Sequence, residues 1–385
     1  MKLKLPSLHV LSLAVLFACI ATVQAKTTEP KFAPLPQPPK PRIEVCFVLD
    51  TTGSMGGLIE GAKQKIWSIA NAMIAAKPTP DLQVGLVAYR DRGDDYVTKT
   101  VALTNDMDLV YARLKEFAAS GGGDAPESVN EALQDAVQKM TWSKDRDVLK
   151  IIFLVGDAPP HMDYADGPKY QQVCQAAMQA DLVINTVQCG DATDTATIWR
   201  DIAKLGEGRF AAIPQSGNMT AIATPMDAEL GQLNQALNGT VIAYGDAGVQ
   251  HEISSKVALA VAAPASVAED RLAYNMAAGV TVQGKGELLD GLAAGSVKWE
   301  DIKTAELPAD LQKLSSTELK AAVAAKQKER SDLQAKINQL SADRDKYIDA
   351  ERQRLAAAGK TDSFDAQVTE IIHAEAARKG ITYAP

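Results

Sequence analysis

The sequence predicts an α/β protein: a doubly wound, mostly parallel six-stranded sheet flanked by helices, followed by a mainly α-helical C-terminal region. Three observations carry that expectation. Between residues 43 and 238, six apolar runs of strand length alternate with longer amphipathic stretches, the pattern of a parallel sheet covered on both faces. Aromatic residues make up 5% of the chain while 46% is hydrophobic, a balance that suits helices and a buried sheet better than a sandwich or a carbohydrate-stacking surface. Beyond Leu307, a Ser315–Glu318 capping-box pair opens a long helical stretch that Gly359 stops.

In chain order, Lys2 and Lys4 precede an apolar run from Leu8 to Ala21 and then Val23-Gln24-Ala25, with small residues where a signal peptidase reads. Residues 1–25 are therefore expected to be a signal peptide, and the mature chain to be periplasmic or secreted. The run is shorter than the ~20 apolar residues a membrane span needs. Leu16-Phe17-Ala18-Cys19 approximates a lipoprotein box, and acylation of Cys19 is the one route to a membrane; bulky Phe17 and the apolar run past the cysteine depart from that pattern. Residues 26–42 hold six prolines and read as a stiff extended linker.

The strand candidates are Ile43–Leu49, Gln83–Tyr89, Val97–Leu103, Leu149–Val155, Leu182–Val187 and Arg209–Ile213. Helices are expected near 55–77, 107–119, 127–141, 168–180, 195–205 and 219–237, so that 43–238 forms one α/β domain. Ala-rich residues 239–306 read as a mixed or helical region, and 307–385 as a long-helix C-terminal region. The seam of that helix steps through Leu319, Val323, Lys326, Arg330, Leu333, Ile337, Leu340, Arg344 and Tyr347. Its heptad spacing raises a coiled-coil homodimer as one outcome; its three basic residues favour packing back on the same chain.

Lys+Arg 40 against Asp+Glu 48 gives a net charge of −8, and no basic stripe argues for nucleic acid. Removal of the leader leaves Cys46, Cys174 and Cys189, an odd number for an oxidising compartment. Cys174 with Cys189 is the candidate disulfide, because a helix followed by a returning strand can bring them together; three buried thiols is the alternative.

Chemistry concentrates where the strands end. The first strand runs into Asp50-Thr51-Thr52-Gly53-Ser54-Met55, and the fourth into Gly156-Asp157-Ala158-Pro159-Pro160. Both therefore deliver their polar residues to the carboxyl edge of the sheet, where open α/β folds bind ligands. Between them, Gly121-Gly122-Gly123-Asp124-Ala125-Pro126-Glu127-Ser128 carries two carboxylates to a helix start. Hydroxyl and carboxylate oxygens are hard ligands suited to Mg2+, and Mn2+ or Ca2+ accept the same donors. Taken singly, each loop reads as helix capping or a turn; three converging loops do not.

This arrangement resembles the metal-ion-dependent adhesion site of the von Willebrand factor A (vWA) family, over about residues 43–238. Asp-Thr-Thr-Gly-Ser-Met, Tyr89-Arg90-Asp91, Gly-Gly-Gly-Asp-Ala-Pro-Glu and Asp157-Ala-Pro-Pro-His161 together are similar to bacterial exported vWA proteins and to the vWA part of alpha-type protein kinases. The resemblance implies a Rossmann-like fold with Thr52 and Ser54 as direct metal ligands, Glu127 direct or through water, and Asp50 and Asp157 through water. Thr52 stands where the family usually has serine and keeps its hydroxyl. The family's second-loop threonine has no counterpart here; Asp124-x-Pro126-Glu127 instead looks like integrin β-subunit domains, which implies the ligand role for Glu127 and a second cation site at Asp91 and Asp124.

No glycine-rich phosphate loop or metal-binding Asn and Asp set follows, so kinase activity is not implied. His161 is expected to be a loop histidine bonded to the backbone. Ser54 lacks a nucleophile elbow. The expected function is a non-enzymatic, exported binding module whose metal coordinates an Asp or Glu carboxylate of a protein partner. The alternative is a cell-envelope structural or assembly protein in which the C-terminal helix is the interaction element and the metal is structural.

Overall fold

A computed structural model describes residues 40–123, 125–219, 221–357 and 364–383. The expected signal peptide, Cys19 and most of the proline-rich linker lie outside the described residues. Six strands, β1 (Arg42–Asp50), β2 (Asp81–Tyr89), β3 (Thr98–Thr104), β4 (Leu149–Gly156), β5 (Val183–Cys189) and β6 (Glu207–Ile213), form one sheet in the order β3-β2-β1-β4-β5-β6. Every pairing is parallel except β2 with β3. Each strand candidate matches one of these to within two residues at its start and two at its end. β1 is central and wholly buried beyond Arg42, and its side chains alternate between two cores. Ile43, Val45, Phe47 and Leu49 face one, and Cys46 and Val48 the other.

Helices α1 (Gly56–Ile74) and α2 (Met107–Lys115) cover the first face, and α3 (Val129–Gln138), α4 (Tyr170–Gln179) and α5 (Thr193–Leu205) the second. The ambiguous Ala-rich region resolves as helix: α6 (Asp227–Asn238) is followed by α7 (Ala247–Ala262), α8 (Ala265–Ala277) and the short α9 (Leu288–Ala293). The long helix α10 spans Ser316–Ala357, close to its sequence bounds. Its capping box is made as expected, with Ser315 N–H donating to Glu318 Oε2 (2.8 Å) and Glu318 N–H to Ser315 Oγ (3.3 Å).

The seam of α10 packs on its own chain. Val323 joins Ile242, Leu288, Leu289 and Leu307, and Ile337 joins Leu230, Leu237 and Leu272. The basic seam positions are paired rather than idle. Arg330 reaches Glu287, Asp290 and the Thr240 hydroxyl, while Arg344 lies against Asp227 and Asp270. A last helix, α11 (Phe364–Arg378), returns to the first sheet face and buries Phe364, Val368, Ile371, Ile372 and Ala376 beside α1.

One expectation is corrected. Cys174 and Cys189 are not disulfide-bonded; they and Cys46 are free buried thiols. Cys189 ends β5 on the α1 face, whereas Cys174 of α4 sits in the core on the opposite face. The sheet itself separates them.

Candidate metal centre

The carboxyl ends of β1, β2, β4 and β5 share one edge of the sheet, because these strands are parallel. At that edge Asp50 is fully buried, and its Oδ1 accepts from Thr52 N–H (2.8 Å) and Thr52 Oγ (2.7 Å). The Thr52 hydroxyl thus gives its proton to Asp50 and keeps lone pairs free, 3.4 Å from Ser54 Oγ. Thr51 locks the loop below by donating to the Tyr89 carbonyl (2.8 Å). Ser54 is exposed and marks the open side.

The glycine run is threaded between the first loop and Glu127. Gly53 N–H donates to the Gly121 carbonyl (3.1 Å). Gly122 has φ +81°, and a Cβ there would lie 3.1 Å from both Glu127 Oε1 and Thr52 Cβ. Only glycine fits both the conformation and the space. Glu127 is stitched to the third loop by its own N–H on the Pro159 carbonyl (2.9 Å) and by His161 N–H on its carbonyl (3.1 Å). Asp157 closes the ring; its Oδ2 accepts from Gln215 Nε2 (2.6 Å) and its carbonyl from the Thr195 hydroxyl (3.2 Å).

Burial pushes the Asp50 carboxyl up to about 7, with the neighbouring Asp157 adding to the shift against the Thr52 hydrogen bonds. Burial first, then Asp50, Asp91, Asp94 and Asp157, lifts Glu127 to about 9. Asp50 Oδ2 and Glu127 Oε2 are buried with no hydrogen-bond partner, as is the Tyr89 hydroxyl. Unsatisfied buried carboxylate oxygens are costly, and a divalent cation among them would neutralise the charge that burial penalises. Among the described residues no three His, Cys, Asp or Glu side chains are grouped to hold an ion by themselves; the Thr52 and Ser54 hydroxyls are the further oxygens beside Asp50. Hard oxygens of this kind fit Mg2+ or its oxygen-seeking relatives.

The five predicted ligands Asp50, Thr52, Ser54, Glu127 and Asp157 all lie on these joined loops. Of the second cation site, Asp124 lies outside the described residues. Asp91 is buried and accepts from Ser128 Oγ at 3.0 Å and the Tyr164 hydroxyl at 3.0 Å, with His161 Nε2 3.3 Å away. His161 departs from expectation, since its ring is held by carboxylates, with Nδ1 2.7 Å from Asp163, and stacks on Tyr164. Sequence reasoning missed Gln215, Tyr89 and Asp94, whose Oδ2 accepts from Gly122 N–H (3.1 Å).

The sequence profile of the von Willebrand factor A domain matches residues 44–218, the stretch that holds nearly all of the sheet and the loops carrying the five predicted ligands. Residues 44–218 are a von Willebrand factor A domain. Among curated relatives, von Willebrand factor A domain-containing protein 7 of Homo sapiens is 35% identical over 120 residues, 31% of this chain and 12% of that protein. An alpha-protein kinase of Dictyostelium discoideum is 26% identical over 120 residues, covering 31% of this chain and 19% of the kinase. The chain thus spans less than a fifth of either relative. Among solved structures, the VWA domain of SpRpn10 is similar at a TM-score of 0.35 and 13% identity, over 48% of this chain and 99% of that one. Proximal thread matrix protein 1 of the mussel byssus, with a zinc-occupied MIDAS motif, is similar at a TM-score of 0.37 and 15% identity, over 46% of this chain and 42% of that one.

Proposed function

We propose that the protein is an exported, non-catalytic binding module in which the A domain holds a divalent cation, Mg2+ in the first instance, and uses it to recognise an Asp or Glu carboxylate of a protein partner. The observation that carries this reading is the pair of buried carboxylate oxygens without donors, Asp50 Oδ2 and Glu127 Oε2, beside the Thr52 hydroxyl. When bound, the cation supplies a coordination position for a carboxylate oxygen from outside. Thr52 and Ser54 would hold it directly, Glu127 directly or through water, and Asp50 and Asp157 through water. Asp50 orients the Thr52 hydroxyl by accepting its hydrogen bond. Gly122 leaves room between Thr52 and Glu127. Loops that exclude water on three sides strengthen a charge-assisted contact relative to an open surface.

Calorimetric titration of Mg2+, Mn2+ and Ca2+ into the chelated full chain, beside Asp50→Ala/Asp157→Ala, tests the proposal. Saturable one-site binding that the double variant loses while keeping its circular dichroism is expected. Equal heats in both proteins would end it. Turnover of a phosphate or acyl ester abolished by Glu127→Ala would instead make the site an enzyme's.

A further inference from the structure

The loops that surround the site carry far more negative charge than the cation needs. Segments 90–97, 157–169 and 190–192 follow β2, β4 and β5 at the same edge, and between them hold seven aspartates against three basic residues. Those basic residues are spent locally. Arg90 pairs with Asp95 (3.2 Å), Arg92 with Asp166 (2.7 Å) and Glu131 (2.8 Å), and Lys169 donates to the carbonyls of Met162 and Tyr164. Four of the aspartates point outward: Asp95 is 83%, Asp166 80% and Asp163 72% exposed, and Asp191 is exposed with no ion pair among the described residues. The loops also adjoin one another, since Arg92 bridges the first two and Thr195 at the start of α5 holds the Asp157 carbonyl. At their centre stand the unpartnered buried oxygens of Asp50 and Glu127. A divalent cation cancels two charges and leaves the rim acidic.

Resting on the function proposed above, we infer that the partner's ligating carboxylate is set in a basic surface: a single Asp or Glu flanked by Lys or Arg. A carboxylate approaching alone meets the repulsion of the rim, whereas flanking ammonium or guanidinium groups turn the same field into attraction. Cation and rim then divide the work. The cation reads one acidic oxygen, and Asp163, Asp166 and Asp191 read its neighbours. Met162, 42% exposed between them, adds an apolar contact. Because the aspartates are solvated, their share falls with salt as the screening length shortens to about 8 Å at physiological ionic strength.

The probes are synthetic peptides with one central glutamate flanked by lysines, serines or aspartates, and a lysine-flanked peptide with glutamine at the centre. Each is titrated by fluorescence anisotropy into the full chain with Mg2+ at low and high NaCl, and into Asp163→Ser/Asp166→Ser/Asp191→Ser, which leaves every proposed ligand in place. The expected order is lysine-flanked glutamate at least tenfold tighter than serine-flanked, aspartate-flanked weakest, with the gap shrinking several-fold in the triple variant and at high salt. Mg2+-dependent binding of the glutamate peptides with no preference for lysine flanks overturns the rim inference and leaves the metal reading standing. Equal, Mg2+-independent binding of both lysine-flanked peptides overturns the metal reading and keeps the acidic surface. Binding of no peptide overturns both.

Discussion

At Thr52 one hydroxyl serves two neighbours, donating to Asp50 while its lone pairs stay available. Thr52→Ser keeps that arrangement and is expected to bind Mg2+ like the parent. Thr52→Val removes it; cation affinity should fall at least tenfold in calorimetry, and the melting temperature of the cation-free protein should fall as well, since the buried Asp50 carboxylate loses a hydrogen-bond donor. Asp50, Thr52, Ser54 and Asp157 were readable because each directly follows an apolar strand, and Glu127 because it opens an amphipathic helix. Gln215 was not, since its contact with Asp157 spans 58 residues and depends on where the loop after β6 lands. Asp94 likewise belongs to a run of acidic loop residues whose individual partners only the fold assigns.

Elements divide along the same line. β1 and β4 are continuous apolar runs, and the alternation of such runs with amphipathic stretches fixes a parallel sheet. The disulfide expectation failed on strand parity: moving one residue along β5 changes the sheet face, and Cys189 lies on the face away from Cys174. For α10 the capping box announced the start, and the basic seam positions announced acidic partners without naming them. Arg330 is nearly buried among Glu287, Asp290 and Thr240. Arg330→Ala leaves two carboxylates unpaired and should cost about 3–5 kcal/mol in urea unfolding; a loss below about 1 kcal/mol would mean that water reaches the pair. On α8, Glu269 is buried with neither oxygen hydrogen-bonded. Burial raises its carboxyl to about 8, with Arg344 opposing and Asp227 and Asp270 adding to the shift. The native state therefore holds this proton after the unfolded chain has lost it, so stability is full below the unfolded value of about 4.3 and declines as pH rises through about 8. Glu269→Gln should flatten that decline by about 2 kcal/mol between pH 5 and 8.5; an unchanged slope would place the effect elsewhere.

Across the whole molecule, the C-terminal α11 is part of the A domain's core, whereas α10 packs in separate clusters with α6, α8 and α9. α11 adds Phe364, Val368, Ile371, Ile372 and Ala376 to the cluster built by β1, β4 and α1. The buried Arg271–Asp108 and Lys256–Asp106 pairs tie α8 and α7 to α2. Each large apolar side chain uncovered costs about 1.5–3 kcal/mol, and four or five together rival the 5–15 kcal/mol that holds a typical domain folded. A chain ending at Ala357 should therefore lose cooperative thermal unfolding and elute as aggregate in size-exclusion chromatography. Recovery of a sharp transition from that truncation would show that the sheet face can close without α11. The sequence displayed the sheet and the long helix but not this return, because α11 shows its role only through the surface it covers.

That return also sets a timetable for synthesis. α1 and α2 cover much of the first sheet face early, but the part beside α1 and β6 waits for α11, which leaves the ribosome long after the sheet is complete. Until then that patch of apolar surface is uncovered, the condition under which partly folded chains tend to associate.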